Sequence, residues 1–386
     1  MNVLILNCGS SSIKYQLIDM PSDIVLSKGL IDKIGLKGAK IKNHEDGIKF
    51  LFNKLVDKKY GSIKNLKEIK AVGHRVVHGG EKFKSSILID DKLINEIEKC
   101  IELAPLHNHL NLKGILAIKK ILPKVKQVAV FDTAFHHTIP DFAYTYGLPF
   151  KYYKKYKVRK YGFHGTSHRY VAERACEILN LNYKKQKIIT CHLGNGVSLT
   201  AIKNGESVDT SMGMTPLEGL VMGTRSGDVD PGALFYIMKK EKLNLNDINE
   251  ILNKKSGLLG VSEKSSDMRD ILDGVKKKDK KAILAYNIYI YRLKKYIGAY
   301  IAGMNGLDIL VFTGGSGENS PKIRKDIIEN MDFFGLKINE KENLKAIGKE
   351  VMICDKSSKS YIMSIPTNEE FMIAKDTYEI VILKTS

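Results

Sequence analysis

Apolar residues follow two rhythms along this chain. Val3 to Leu6 is an unbroken apolar run, whereas Ile13, Tyr15 and Leu17 alternate with Lys14 and Gln16. The first rhythm predicts a buried strand and the second a half-buried one. The same patterning predicts strands at 2–7, 13–19, 24–31, 69–77 and 125–132, and helices at 44–59, 91–103 and 108–121. The segment 133–163 is rich in Tyr, Pro and Gly and reads as a crossing between domains. Beyond it Val171, Ala175, Ile178 and Leu179 share one helical face, with Ser167 placed to cap that helix. Strands at 187–193 and 196–203 follow, then helices at 231–240, 246–254, 267–274 and 280–303. A strand at 308–313 leads to a helix at 321–331, which Pro321 helps to start. The last segment, 361–386, reads as a strand, a short helix and an apolar tail, EIVIL, expected to pack back on the first domain. Strands alternating with helices predict an α/β layered fold.

Glycine-rich turns recur where strands end. Asn7 is followed by Gly9 and three Ser before the strand at 13–19. Gly194, Asn195 and Gly196 separate the strands at 187–193 and 196–203, and the strand at 308–313 runs into a turn reading GGSGEN. Small residues let backbone N–H groups approach an anionic ligand closely. Two strand–turn–strand units about half a chain apart, plus a strand–turn–helix unit, predict a duplicated core with a nucleotide held between its halves. No GxxxxGK[ST] occurs, so this is not a Walker P-loop.

Length changes the picture little: 386 residues suggest two domains. We place them at 1–147 plus 370–386, and at 148–369. No apolar stretch approaches the roughly 18 residues that span a bilayer, and no basic segment precedes the first apolar run. The five Cys (8, 100, 176, 191, 354) form no CxxC, which fits reduced thiols in a cytoplasmic protein. The net charge of +19 raises a nucleic-acid hypothesis, most of all at FKYYKKYKVRKY, Phe150 to Tyr161. Lys is spread over the whole chain, however, so compositional bias explains the charge better. The run KKKDKK, Lys276 to Lys281, reads as a solvated loop between helices.

Candidate chemistry clusters at a few places. Arg75, in GHRVVHGGE, sits near a strand end, where a guanidinium can bind a carboxylate bidentately; a structural salt bridge is the plain alternative. Asp132, in FDTAFHH, ends the apolar run VAVF, where open α/β sheets collect ligand-handling residues, although a turn-forming Asp is common there. In YGFHGTSH, two His, two Gly and two hydroxyl residues are hard to explain by packing. His164 there precedes a helix N-terminus, a natural anion site. A zinc pair of His164 and His168 is the weaker reading, since Gly165 spoils the helical spacing. The long Gly-rich stretch Asp209 to Pro231 carries Arg225, which can neutralise a transferring phosphoryl group.

These residues lie in ten segments that resemble, in order, those of the acetate and propionate kinase family of the sugar kinase, actin and Hsp70 superfamily: NCGSSSIKYQL, GHRVVHGGE, LAPLHN, FDTAFH, YGFHGTSH, CHLGNG, DTSMG with TPLEGL and MGTRSGD, SSDMRD, FTGGSGEN and IPTNEE. The resemblance covers nearly the whole chain. It implies two domains of ribonuclease H-like (actin-like ATPase) topology, a homodimer, and the reaction ATP + acetate ⇌ ADP + acetyl phosphate with Mg²⁺ (or Mn²⁺). Asn7 and Glu369 match the family's magnesium positions, acting through Mg²⁺ and its waters. Arg75 matches the substrate-binding Arg and Asp132 the catalytic Asp. His164 and Arg225 match the pair that stabilises the transition state. Lys14, the loop His192, Leu193, Gly194, Asn195, Gly196, the segment Asp267, Met268, Arg269 and the turn Gly315, Ser316, Gly317, Glu318, Asn319 match ATP contacts. Val77, Leu106, Phe163 and Pro216 match the apolar pocket for the acyl methyl group.

Acetate is ionised at neutral pH, so no proton has to leave the nucleophile, and Asp132 is expected to orient an Arg or a metal-bound water rather than act as a base. The chain departs from the family pattern at His109, at Ser316, and at Glu263 and Lys264. The alternatives are a propionate or butyrate kinase and, from another class, an actin- or Hsp70-like nucleotide switch. No nucleic acid and no membrane is expected as a partner.

Overall fold

In the computed structural model, which describes residues 1–102 and 108–383, the chain forms twelve strands in two sheets. The first sheet contains β1 (Asn2–Cys8), β2 (Ile13–Asp19), β3 (Ile24–Ile31), β4 (Ile69–Val76), β5 (Ile87–Leu88) and β6 (Lys126–Phe131), in the order β3-β2-β1-β4-β6-β5. β1, β4 and β6 run parallel, and β2, β3 and β5 antiparallel to their neighbours. The second contains β7 (Lys187–Leu193), β8 (Val197–Lys203), β9 (Glu206–Thr210), β10 (Ile309–Thr313), β11 (Val351–Met352) and β12 (Tyr361–Ser364). Its order, β11-β12-β10-β7-β8-β9, repeats the first sheet strand for strand, with the same mixture of directions. The core is a duplicated α/β unit.

The strand sequences explain the layering. In β7 every residue but Lys187 is buried, and in β8 all but Lys203. Strands with no exposed face must be covered on both sides. In the first unit, helices His44–Leu55 and Asn108–Ile121 cover one face around Leu4, Leu6, Leu17, Ile48 and Ile118. Helix Glu369–Leu383 covers the other, setting Ile373, Ala374 and Val381 on Val3, Ile5 and Val128. In the second unit, helix Gly165–Leu179 packs on β7 and β10, and helix Lys280–Met304 on β8 and β7.

Contacts divide the chain into residues 1–137 with 368–386, and residues 138–367. The division falls ten residues before the expected 147. Residues 138–147 are tied to the second unit: Thr138 Oγ1 donates to the Ser207 carbonyl, Lys160 N–H to the Tyr144 carbonyl, and Arg159 stacks on the Tyr144 ring. Asn368 and Glu369 belong to the first unit, because the final helix starts there. That helix is continuous, so the apolar tail is its last turns rather than a separate segment. Three further local expectations change. Ser167 is inside its helix and His164 stands at the cap position, with φ 55°. The helix expected at 91–103 ends at Lys99, followed by a tighter turn at Cys100–Glu102. GGSGEN is a short helix, Gly314–Asn319, not an open turn.

Candidate active site

The first unit gathers charge at the ends of its parallel strands. Arg75, next to last in β4, donates from Nε to Asp132 Oδ1 at 3.0 Å and from Nη2 to Oδ2 at 2.5 Å. This is the bidentate geometry that matches a planar guanidinium to a carboxylate. Asp132 is buried at 1% exposure and Arg75 reaches 21%. Glu369 Oε2 lies 3.6 Å from Arg75 Nε, and Asn7 Oδ1 lies 3.5 Å from Nη1. Burial pulls the Arg75 pKa down, but Asp132, Glu369 and Glu370 outweigh it and hold the pKa above its ordinary value. Asp132 therefore fixes the plane of Arg75, with Nη1 left outside that clamp. Lys14 is held by Glu370 Oε1 at 2.5 Å. Val77 is buried and its N–H donates to Asn111 Oδ1. Leu106 lies outside the described residues.

The second unit gathers glycine turns, histidines and one lightly satisfied arginine. His164 stacks on His192, with ring centroids 4.3 Å apart. A Cβ placed on Gly196 would lie 3.4 Å from His164 Cε1 and 3.5 Å from Arg225 Nη1, so this residue type leaves the two groups flanking a bare backbone turn. Arg225 Nη1 donates to the Pro216 carbonyl at 3.2 Å, and no carboxylate lies in ion-pair range among the described residues. Burial lowers its pKa. A largely desolvated cation without an anionic partner is a site for an anion. Phe163 is buried, and Pro216 is half-buried in the same loop region.

Beside the turn opens a cavity of about 760 Å³. Gly194, Asn195 and Gly223 line it together with the apolar Leu258, Met268, Leu272 and Tyr289 and with Asp267, Arg269, Gly315, Ser316 and Asn319. A glycine at 315 has nothing within 4 Å of where a Cβ would stand, so it keeps this space open. Asp267 caps helix Met268–Lys276, and hydrogen bonds from Arg269 bring its pKa down to about 2. Gly317 and Glu318 turn the other way. The Gly317 carbonyl accepts from buried Arg324, while Glu318 Oε1 accepts from the Gly314 and Thr367 N–H groups, both at 2.9 Å. Leu193 is fully buried. Gly223, Leu258, Leu272 and Tyr289 went unpredicted: the last three sit on separate helices and look like ordinary core, and Gly223 differs in no local way from the other glycines of its loop.

The departures from the family pattern also have partners. Glu263 pairs with Lys281, and Lys264 with Asp279, which joins the loop before Asp267 to the start of helix Lys280–Met304. In the basic aromatic segment, Lys154 lies over the Phe150 ring and Lys157 over Tyr153. No helix among the described residues is long and apolar enough to cross a membrane.

Two copies of one six-stranded order, with glycine turns at the strand ends, define a duplicated ribonuclease H-like (actin-like ATPase) fold. The model of the acetokinase family matches residues 2–375, and the chain belongs to that family. It is 56% identical to an acetate kinase of Parabacteroides distasonis, with 99% of each chain covered. It is 55% identical to one from Azobacteroides pseudotrichonymphae, covering 99% of this chain and 100% of that one. The crystal structure of Porphyromonas gingivalis acetate kinase superposes with a TM-score of 0.95 at 52% identity, over 98% of this chain and 99% of that one. A propionate kinase structure from Francisella tularensis gives 0.91 at 42% identity with the same coverage.

Proposed function

We propose that this chain catalyses reversible, Mg²⁺-dependent transfer of the ATP γ-phosphoryl group to acetate, giving acetyl phosphate and ADP by direct in-line displacement. The observation that carries the reading is the Arg75–Asp132 clamp. It presents a fixed guanidinium at a strand end, in a chain whose relatives at over 50% identity are named acetate kinases. Arg75 receives the acid's carboxylate, and Asp132 orients Arg75 rather than taking a proton. His164 and Arg225 stabilise charge on the transferring group. Each well-aimed donor contributes about 2–4 kcal/mol to lowering such a barrier.

The second unit's cavity is of a size that suits a nucleoside. Its Gly194–Gly196 turn takes the phosphates, with Asp267, Arg269, Gly315, Ser316 and Asn319 around the rest. His192 supports His164 by stacking, Gly317, Glu318 and Leu193 shape the turn from behind, and the family resemblance assigns Lys14 to the nucleotide. Asn7 and Glu369 supply two hard oxygen donors beside Arg75. That set fits an ion that keeps most of its waters and shares phosphate oxygens, as Mg²⁺ does; Mn²⁺ accepts the same donors. Bound there, the ion supplies neutralisation of phosphate charge. The family resemblance assigns Val77, Phe163 and Pro216 to the acyl pocket, together with Leu106, which lies outside the described residues. One methylene in such a pocket is worth only about 1–3 kcal/mol, so propionate is a poorer substrate rather than an excluded one, in keeping with the similarity to a propionate kinase.

Helix Pro231–Glu241 buries none of its residues and exposes Phe235, Tyr236 and Ile237. That face supports a homodimer built on this helix. Hydroxylamine trapping of acyl phosphate, with ATP, Mg²⁺ and acetate, propionate or butyrate, tests the reaction. Product should fall in that order of acids. No hydroxamate from any of the three overturns the reading.

A further inference from the structure

Behind His164 lies a chain of buried side chains to which phosphoryl transfer gives no task. His168, one turn further along helix Gly165–Leu179, is fully buried, with Nδ1 2.7 Å from Thr190 Oγ1 and Nε2 2.7 Å from Ser198 Oγ. The same Ser198 Oγ lies 2.8 Å from His164 Nδ1. Thr190 on β7 and Ser198 on β8 are at 0% exposure. The line therefore runs Thr190, His168, Ser198, His164, and ends at the ring beside Gly196 and Arg225.

A serine hydroxyl has one proton to donate, so it cannot donate to both rings at once. We propose that Ser198 and His168 are positioning residues that set the protonation state of His164; this rests on the reading that His164 faces the transferring phosphoryl group. When His164 is neutral, Ser198 donates to its Nδ1, and the ring proton sits on Nε2, beside the Gly196 turn. Ser198 then accepts from His168 Nε2–H, and Thr190 donates to His168 Nδ1. When His164 gains one proton from solvent, its Nδ1–H donates to Ser198. The Ser198 hydroxyl turns to His168 Nε2, and the His168 proton sits on Nδ1, donated to Thr190. The two states differ by one proton, carried by His164. His168 is neutral in both and only exchanges tautomer, so neither state leaves Ser198 or His168 without a hydrogen bond. Among the groups that face His164 are His168 from its own helix, His192 from β7 and Arg225 from the loop before helix Pro231–Glu241. Arg225 disfavours the imidazolium until phosphate charge arrives, and the serine lets the ring answer that arrival without a broken contact.

The test is a pH titration of the ¹⁵N-histidine-labelled full chain without substrate, followed by long-range ¹H–¹⁵N spectra, with His164→Asn and His168→Gln giving the assignments. In the wild type, the two ring nitrogens of His168 should exchange character at the midpoint of the His164 titration. In Ser198→Ala, His168 should no longer follow His164, and kcat should fall about tenfold with KM for ATP and acetate held within about twofold. Ser198→Thr, which keeps the hydroxyl, should recover most of kcat. A His168 tautomer that stays constant through the wild-type titration of His164 overturns the proposal, as does an unaltered kcat–pH profile in folded Ser198→Ala. The titration needs no turnover, so a failure of acyl phosphate trapping would leave this result to stand or fall separately.

Discussion

At the end of β4 the first unit places Arg75; at the matching position of β10 the second places Thr313. The match follows from strand register when the last pairs before the two glycine turns, Cys8 with Ile13 and Leu193 with Val197, are superposed. Asn7 then corresponds to His192, His74 to Phe312, Gln127 to Ile362 and Asp132 to Thr367. In the first unit these positions hold an arginine clamped by a buried carboxylate. In the second they hold two threonines joined by Glu318, which accepts from Thr313 Oγ1 at 3.3 Å and from the Thr367 N–H. The second unit draws its cation instead from an inserted loop, at Arg225. One backbone plan thus carries different polar groups at the same strand ends, where side chains can change without disturbing the ladder.

The comparison breaks most visibly at Arg75. Arg75→Ala should lower kcat/KM by about 10³-fold or more in steady-state assays. It should also cost about 3–5 kcal/mol in chemical denaturation, because it strands Asp132 as a buried charge. Its counterpart Thr313→Ala removes one long hydrogen bond and should cost about 1 kcal/mol, with activity changed only a few-fold. Equal losses at the two positions would dissolve the division of roles.

That division was only partly legible in the sequence. β2, β3 and β7 occupy the predicted residues, because punctuating turns and apolar rhythm are local properties. Of the site residues, His164 stood out because its motif is hard to explain by packing; Arg75 and Asp132 had plain structural alternatives, and it was the family resemblance of their segments that gave them and Arg225 their expected roles. The final helix did not stand out. Its β-branched EIVIL reads as an apolar tail, and burial of Ile373, Ala374 and Val381 against the first sheet favours the helix. The apolar wall of the cavity, Leu258, Leu272 and Tyr289, was equally hidden, because burial by a ligand and burial by a core require the same residue types. Ser167 looked like a cap in isolation; in the fold its hydroxyl serves His192 at 2.8 Å.

A second contrast lies one residue deeper. His74 is bonded to Gln127 at 2.8 Å, where the other sheet has Phe312 and Ile362. Burial lowers the His74 pKa to about 4. Between about pH 6.5 and 4 the unfolded chain therefore binds a proton that the native histidine refuses. Stability is full above that window and falls as pH drops through it, by about 3 kcal/mol in total. The double variant His74→Phe with Gln127→Ile copies the second sheet. Denaturation at several pH values should show it losing this part of the acid sensitivity; an unchanged pH slope would mean that His74 is not its source.

The smallest effect is expected at the pairs that distinguish the chain from its family. Lys264→Ala removes an exposed partner of Asp279. Surface pairs of this kind contribute little and are screened by salt, so the melting temperature should move by no more than about 1–2 °C. Any shift should vanish near 1 M salt, where the Debye length is about 3 Å. A larger, salt-insensitive shift would give the pair a structural role.

On the proposed function the acid belongs to the first unit's arginine clamp and the nucleotide to the second unit's cavity. Calorimetric titration of the wild type, Arg75→Ala and Gly315→Leu with Mg-ADP and, separately, with acetate tests it directly. Arg75→Ala should lose acetate and keep ADP affinity within about threefold, since removing one charged partner costs only the ligand it binds. Gly315→Leu, whose side chain enters the open cavity, should do the reverse. An Arg75→Ala protein that binds acetate normally, or that loses ADP as severely as acetate, would contradict the account.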